Sequence, residues 1–289
     1  MAELKEIKGR LQSVRSTQKI TSAMMMVSSS KLHKAQQIIS DLYPYEQKLY
    51  YLLQILLNQQ EELVSPFIHQ RPVERVAIVA FSSNSSLAGR FNDDITDKLQ
   101  AVVASYRHLG NDNILIYPIG DKVAKATRNM GLEAQGNFTD ISEKPAYKNT
   151  QSIADELTNM FLDKTVDRVE LIYHHFRSKG SQVIVHEPYL PVNLKSEKRD
   201  IPVDQYIIDP DSESILHLLI PKVLRLKLYT IHSDSVTSEH AARMTAMQIA
   251  TDNADNMIED LKLEYNKLRQ ESITNELLDI IGGSFGRSS

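Results

Sequence analysis

Residues 4–32 read LKEIKGRLQSVRSTQKITSAMMMVSSSKL. Through this stretch and just beyond it, Leu4, Ile7, Leu11, Val14, Gln18, Thr21, Met25, Ser28, Leu32, Ala35, Ile39 and Leu42 follow one another at alternating steps of three and four. That spacing keeps one stripe of a helix turned toward a partner helix, here over about five heptads, and is the signature of a coiled coil. The far end of the chain carries a matching stripe: Met247, Ala250, Ala254, Met257 and Leu261, drifting to Ile258, Tyr265 and Leu268. Helices at opposite ends of one chain pair only by returning across whatever lies between them. The expected product is an antiparallel coil with a domain inserted in it, a rod with a lump. Such a body suits mechanical or scaffolding work better than substrate chemistry.

Charge supports the pairing. Residues 1–34 hold seven Lys/Arg against Glu3 and Glu6, a net +5, whereas residues 239–289 hold five Lys/Arg against nine acids, a net −4. Opposite signs favour these helices as partners. Surface ion pairs are individually worth about 0–1 kcal/mol, so their use is in choosing partner and direction. The whole chain of 289 residues has a net charge of −4, which argues against a general polyanion binder. Cysteine is absent, which removes disulfides, zinc-thiolate sites and cysteine nucleophiles and fits a reducing compartment. The longest apolar runs, such as Tyr50–Leu57, are too short to span a bilayer. No apolar signal segment opens the sequence. An intracellular location is the expectation.

Along the chain, a first helix is expected from about Leu4 to about Asn58, with Pro44 kinking it or starting a new segment. Ser65-Pro66 and Arg71-Pro72 mark a linker. Val76–Phe81 and Ile114–Ile119 read as buried strands, and Arg168–Phe176 alternates like a third, with a fourth at Gln182–His186. Helices are expected at Asp93–Arg107, Asp121–Asn129 and Gln151–Phe161. Strand–helix alternation implies a Rossmann-like α/β domain with a mainly parallel sheet, the last strand turned back antiparallel at Lys179-Gly180. Glu187–Pro210 reads as loop. A second long helix begins near Asp211, is interrupted at Pro221, and runs to about Ile281, where Gly282-Gly283 should stop it. The fold class is therefore α/β with an antiparallel coiled coil. Its parts are a coiled-coil helix over 1–60, an α/β domain over 70–205 and a second coiled-coil helix over 208–289.

The usual chemical signatures are missing. Nothing matches a Walker A loop, and no G-x-G-x-x-G follows Val76–Phe81. The loop there, Ser82-Ser83-Asn84-Ser85-Ser86-Leu87-Ala88-Gly89-Arg90, offers backbone N–H groups to a phosphate, but with one glycine it reads first as a solvated loop. Asp93-Asp94 reads as an N-cap and first-turn acid pair rather than a cation site. His174 and His175, adjacent on a strand, point to opposite faces and cannot chelate together. His232 and His240 read as surface or core histidines, not ligands. The basic residues of the first helix lack interleaved aromatics, so a coiled-coil flank is preferred over a nucleic-acid site. Met24-Met25-Met26 spread over roughly 200° of a helix, so at least one must leave the coil core. Polar Gln18, Thr21 and Ser28 weaken the stripe there, which suggests that a third body touches the coil.

Taken together, Leu4–Leu32, the segment Thr237–Gly283 (TSEHAARMTAM … LEYNKLRQESITNELLDIIGG), the bridge Ile208–Tyr229 with its LLIPKVLRLKLY run, and Arg168–Phe176 resemble the gamma subunits of the F1 ATP synthase. The resemblance covers essentially the whole chain. It implies a central rotor shaft whose paired helices sit in a ring of three alpha and three beta subunits. The α/β domain would form a foot with the epsilon subunit on the membrane c-ring, at the cytoplasmic face of a bacterial membrane. It implies a non-catalytic, peripheral subunit without cofactor, metal or nucleic acid, which couples ion flow to ATP synthesis or hydrolysis to ion pumping.

The resemblance also suggests contacts. Lys8, Arg10, Arg15, Lys19, Lys31 and Lys34 would meet acidic loops of beta, and Met24 falls in the segment that faces beta. Arg243 lies in the Ala-Ala-Arg-Met segment, and Arg269, Gln270, Thr274 and Glu276 lie in the Arg-Gln-x-x-x-Thr-x-Glu segment. Ile273, Leu277, Leu278, Ile280 and Ile281 would form an apolar bearing. The strand-end loop departs from the family's Asp-Arg-Gly-Leu-Cys-Gly-Gly pattern: Leu87, one glycine and Phe91-Asn92 are kept, while the charged pair and the cysteine are not. Two other readings compete, a non-rotary coiled-coil adaptor and an enzyme built on the α/β unit.

Overall fold

The computed structural model describes residues 2–58, 65–192 and 211–285. In chain order the elements are α1 (Ala2–Asn58), β1 (Val76–Phe81), α2 (Phe91–Tyr106), β2 (Ile114–Ile119), α3 (Asp121–Asn129), α4 (Thr139–Ser142), α5 (Tyr147–Leu162), β3 (Arg168–Ser178), β4 (Ser181–Leu190) and α6 (Ser212–Phe285). They form two compact units, one of Met1–Ser28 with Met244–Ser289 and one of Ser29–Arg243.

In the first unit the two helices run antiparallel, because Thr21 meets Thr251 while the earlier Gln18 meets the later Asp255. Every expected α1 position from Leu4 to Ser28 is buried or half-buried. On α6 the stripe is Met247, Thr251, Ala254, Ile258, Leu261, Tyr265 and Leu268, again buried or half-buried. Met257, expected in it, is 49% exposed. From Ala254 the next in-phase position is four residues on, and Met257 sits about 100° away from Ile258 around the helix. Two polar residues of the stripe find partners across the coil, Thr21 in its interior and Gln18 at its exposed edge. Thr21 and Thr251 hydroxyls lie 2.8 Å apart, Thr251 donates to the Met247 carbonyl, and Gln18 Nε2 donates to Asp255 at 2.9 Å.

Neither proline breaks its helix. α1 continues through Pro44 and α6 through Pro221, and α6 also passes Gly282-Gly283 to Phe285. An interior proline costs about 3 kcal/mol of helix propensity. Around Pro221 that cost is offset by Leu216, Ile220, Val223 and Leu224, all buried in the core of the second unit.

That core is a four-stranded sheet in the order β2-β1-β3-β4, with β1 parallel to β2 and β3, and β4 antiparallel to β3. β4 extends to Leu190, so the expected loop begins later than Glu187. Residues 193–210 of that loop, with Asp209-Pro210, lie outside the described residues. β1 is buried on both faces, as a parallel sheet covered on both sides requires. Ala77, Val79 and Phe81 pack with Leu49 and Leu53 of α1, Ile153, Leu157 and Phe161 of α5, and the start of α6. Val76, Ile78 and Ala80 pack with Ile95, Leu99 and Val103 of α2 and Val123 of α3.

The segment of α6 from Thr230 to Ala241 is buried on every side although most of it is polar. Asp234 ties three elements together. It accepts from Tyr43 Oη (2.8 Å) on α1 and from the Phe176 N–H (2.8 Å) on β3, and lies 2.7 Å from His175 Nδ1. Ser238 donates to the His174 carbonyl, and His232 Nε2 lies 3.3 Å from the Ser142 carbonyl. His174 and His175 do face opposite ways: His174 is buried and stacks on Phe91 at 4.5 Å. His232 and His240 are core residues.

Burial pushes His174, His232 and His240 down from 6.5 to about 4. Each then takes up a proton more readily when unfolded, so the stability it contributes is complete above pH 6.5 and is lost as pH falls toward 4. Glu46, raised by burial to about 7, gives the opposite slope. Urea unfolding at pH 7 and pH 5 isolates one histidine: His232→Leu should reduce the stability lost between these pH values by about 2 kcal/mol. For the coil, Thr21→Val and Thr251→Val should each cost about 1 kcal/mol. The double variant should cost less than their sum, because both single variants lose the same Thr21–Thr251 bond.

Candidate functional site

The surface of the coiled-coil unit carries most of the residues singled out from sequence. Lys8, Arg15 and Lys19 are exposed and fall at spacings of seven and four, hence on one face of α1. Met26, 63% exposed, follows Lys19 by seven residues on that same face. Arg10 is exposed on another side. Ile20 and Val27, also seven apart, are 60% and 57% exposed, with half-buried Met24 beside them. The methionine run therefore divides as helical geometry demands: Met25 lies in the coil, Met26 outside it and Met24 between. Arg269, Gln270, Thr274 and Glu276 are exposed on α6, as are Ile273, Leu277 and Leu278. Thr274 donates to the Gln270 carbonyl within the helix. The side chains of Ile280 and Ile281 lie outside those described. Lys31 and Lys34 are exposed on the part of α1 belonging to the second unit.

Arg243 behaves differently. It is buried and turned inward, against the expectation of a partner-facing side chain. Its Nη1 pairs with Glu239 one turn earlier on α6. Its Nη2 donates to Ser85 Oγ (2.8 Å) and reaches the Ser85 and Ser86 carbonyls (3.3 and 3.4 Å). Burial raises the Glu239 carboxyl, and the Arg243 charge holds it down in part. The Glu-x-x-x-Arg spacing was legible as a same-face pair. The Ser85 partner, distant in sequence, was not.

The loop that Arg243 grips is the one after β1. It is not a simple solvated turn, because Ser82 and Ser83 are buried. Asn92 Oδ1 accepts from both the N–H and the hydroxyl of Ser83, each at 3.0 Å. At the strand ends the first N–H groups of α3 are used one by one. Asp121 N–H donates to Asn84 Oδ1, Lys122 N–H to the Ser83 carbonyl and Val123 N–H to Ser82 Oγ. Gly120 allows this closeness: its φ is 109°, and a Cβ there would lie 2.3 Å from the Ser82 carbonyl oxygen. Donors that hold a phosphate in dinucleotide-binding folds are thus occupied by this chain's own loop. Asp94 likewise pairs with Arg90 at 3.1 Å rather than standing free for a cation. Among the described residues no cluster of three His, Asp or Glu is arranged to hold a metal, and no helix is long and apolar enough to cross a membrane.

A paired-helix unit and an α/β unit whose nucleotide crevice is filled from within define a structural or transmitting protein class. Comparison with known proteins agrees. Residues 3–285 match the family model described as ATP synthase. The chain is 51% identical over 288 residues to the ATP synthase gamma chain of Bacteroides fragilis, covering 98% of this chain and 99% of that one. It is 49% identical over 287 residues to the ATP synthase gamma chain of Phocaeicola vulgatus, with the same coverage. Its fold resembles a chain in the Euglena gracilis mitochondrial ATP synthase structure of OSCP, F1 and c-ring. The TM-score is 0.65 at 16% identity, covering 99% of this chain and 94% of that one. The chain belongs to the ATP synthase gamma-chain family.

Arg243→Ala strands the Glu239 carboxylate and releases the loop. It should cost about 3–5 kcal/mol in chemical unfolding, and more at pH 8 than at pH 5, because the native protein holds the Glu239 proton more tightly than the unfolded chain does. Adding Glu239→Gln should recover part of the loss.

Proposed function

We propose that this chain is the central rotor shaft of an F-type ATP synthase, transmitting torque between a membrane c-ring and a ring of three alpha and three beta subunits. The segments 1–60 and 208–289 serve as the shaft and 70–205 as the foot, where an epsilon subunit also binds. Ion flow then drives ATP synthesis, or hydrolysis drives ion pumping. The chain itself carries no catalytic group, cofactor or metal in this reading, and attaches peripherally at the cytoplasmic face through the complex.

The observation that carries the proposal is the coiled-coil unit, whose outer surface differs from side to side. A shaft inside a threefold ring must itself lack threefold symmetry. Two unlike helices, one net positive and one net negative, meet each beta subunit differently at each angle. Lys8, Arg10, Arg15, Lys19 and Lys31 are exposed cations suited to acidic loops of beta. Rotation breaks every contact at each step, so shallow contacts are preferable to deep interlocking. Exposed Ile273, Leu277 and Leu278 offer contact without directional hydrogen bonds, while Arg269, Gln270, Thr274 and Glu276 supply the polar side of that region. Met24, half-buried on the coil, is read as the beta-facing position. Arg243 acts here at one remove, by fixing the strand-end loop.

Reconstitution with alpha and beta subunits tests the proposal. The chain should restore ATPase at about one copy per three alpha–beta pairs; a non-rotary adaptor would not. Met24→Lys should lower ATP-driven ion pumping far more than it lowers the unfolding midpoint, and equal losses would count against the role given to that position. Reversing Lys8, Arg15 and Lys19 to Glu should weaken assembly in a salt-dependent way while leaving the isolated chain folded.

A further inference from the structure

The second unit contains a cavity of about 570 Å³ that the shaft reading does not use. α1 contributes Tyr43, Glu46 and Tyr50; β3 contributes Tyr173 and His175; β4 contributes Glu187; α6 contributes Lys227, Thr230 and Asp234. Leu53, Ile220 and Val223 supply an apolar wall.

Its three carboxylates are not equivalent. Asp234 is fully engaged by Tyr43, His175 and the Phe176 N–H. Glu187 holds Lys227 at 3.2 Å and lies 3.4 Å from Tyr173 Oη. Glu46 has no cation within 4 Å among the described residues. Burial drives its carboxyl up to about 7, opposed by Thr230 and by the more distant Lys227. Thr230, only 2% exposed, faces Glu46 closely enough to favour its anion, but its hydroxyl makes no hydrogen bond of good geometry. A buried hydroxyl and a half-buried carboxylate with no cation paired to it border one open space. Each is costly left so, and one donor-rich cation would satisfy both.

We propose that this cavity binds a small free aliphatic ammonium ion, its head on Glu46 and Thr230 and its alkyl chain along Leu53, Ile220 and Val223. An ammonium offers three donors and no acceptor, which suits a carboxylate and a hydroxyl oxygen converging from α1 and α6. The aromatic faces of Tyr43, Tyr50 and Tyr173 favour a cation further. A divalent metal would need a denser donor set than Glu46 and Thr230 provide. The inference does not depend on the rotor role, since it concerns the isolated full-length chain.

Isothermal titration of the full chain with n-butylammonium chloride and with 1,4-diaminobutane tests it. Controls are n-butanol and sodium chloride at matched ionic strength. Saturable binding of the amines is expected at pH 8, with neither control binding. Ionised Glu46 is required, so affinity should fall about 30-fold at pH 5.5 as the carboxylate takes up its proton. Glu46→Gln should abolish binding and leave the unfolding midpoint unchanged or higher, because it removes a half-buried charge with no cation paired to it. Thr230→Val should weaken binding about 5- to 10-fold and keep the pH dependence. No saturable binding at pH 8, equal heats from sodium chloride, or unchanged affinity in Glu46→Gln would each overturn the proposal.

Discussion

The second unit depends on packing a largely polar helix segment into its interior, where Asp234, Ser238, Glu239 and Arg243 find partners while Thr230, Ser233 and one ring nitrogen each of His232 and His240 do not. From Thr230 to Arg243, α6 carries Thr, His, Ser, Asp, Glu and Arg side chains into an interior that water does not reach. Each such group costs roughly 1–3 kcal/mol when unpaired, so the packing around it is constrained in angle as well as in volume. Asp234 can be satisfied only where Tyr43 of α1 and the β3 backbone at Phe176 arrive together. Ser238 needs the His174 carbonyl, and Arg243 needs both Glu239 and Ser85. An apolar helix here would tolerate sliding. This one fixes its register against the strands, because a displacement of one residue would break several bonds at once.

The coil solves the same problem on a smaller scale. Most of its stripe is aliphatic and indifferent to small shifts. Thr21, Thr251, Gln18 and Asp255 are not, and their bonds select one antiparallel alignment. A polar layer within a heptad seam commonly specifies register at some expense of stability. For a helix pair under torque that exchange is favourable, since slippage between the helices would dissipate the motion they carry.

How much of this was legible follows from how local each signal is. The α1 seam and the bounds of β1, β2 and α3 were read directly, because periodicity and strand-length apolar runs are contained in a few neighbouring residues. The antiparallel return of β4 was visible in Lys179-Gly180, although its length was not, because Glu187 and Pro188 look like loop residues until a partner strand pairs them. Pro44, Pro221 and Gly282-Gly283 were misleading. Propensity speaks for an isolated helix, and burial of Ile220, Val223 and Leu224 outweighs it at Pro221. Met257 was placed one position early, since an apolar residue beside the true seam residue, Ile258, blurs the phase. Among the functional residues, exposure of the basic and C-terminal positions followed from the heptad phase. Arg243 did not, because an arginine reads as surface until the distant Ser85 that binds it is located.

The strand-end crevice shows why a familiar architecture need not carry its familiar chemistry. In an open parallel sheet the helix following a strand presents its first N–H groups to the crevice, and an anion placed there needs no further support. Here Asn84, Ser83 and Ser82 take those N–H groups in turn, and Gly120 brings the two loops close enough for them to do so. A phosphate would have to displace three protein hydrogen bonds that cost nothing to assemble once the fold has formed. The loop is held in turn by Asn92 from α2 and Arg243 from α6, so the closure is braced from two directions. The site that elsewhere recognises a nucleotide has become a joint between β1, α3 and α6. Joining elements firmly is what a body that transmits force requires.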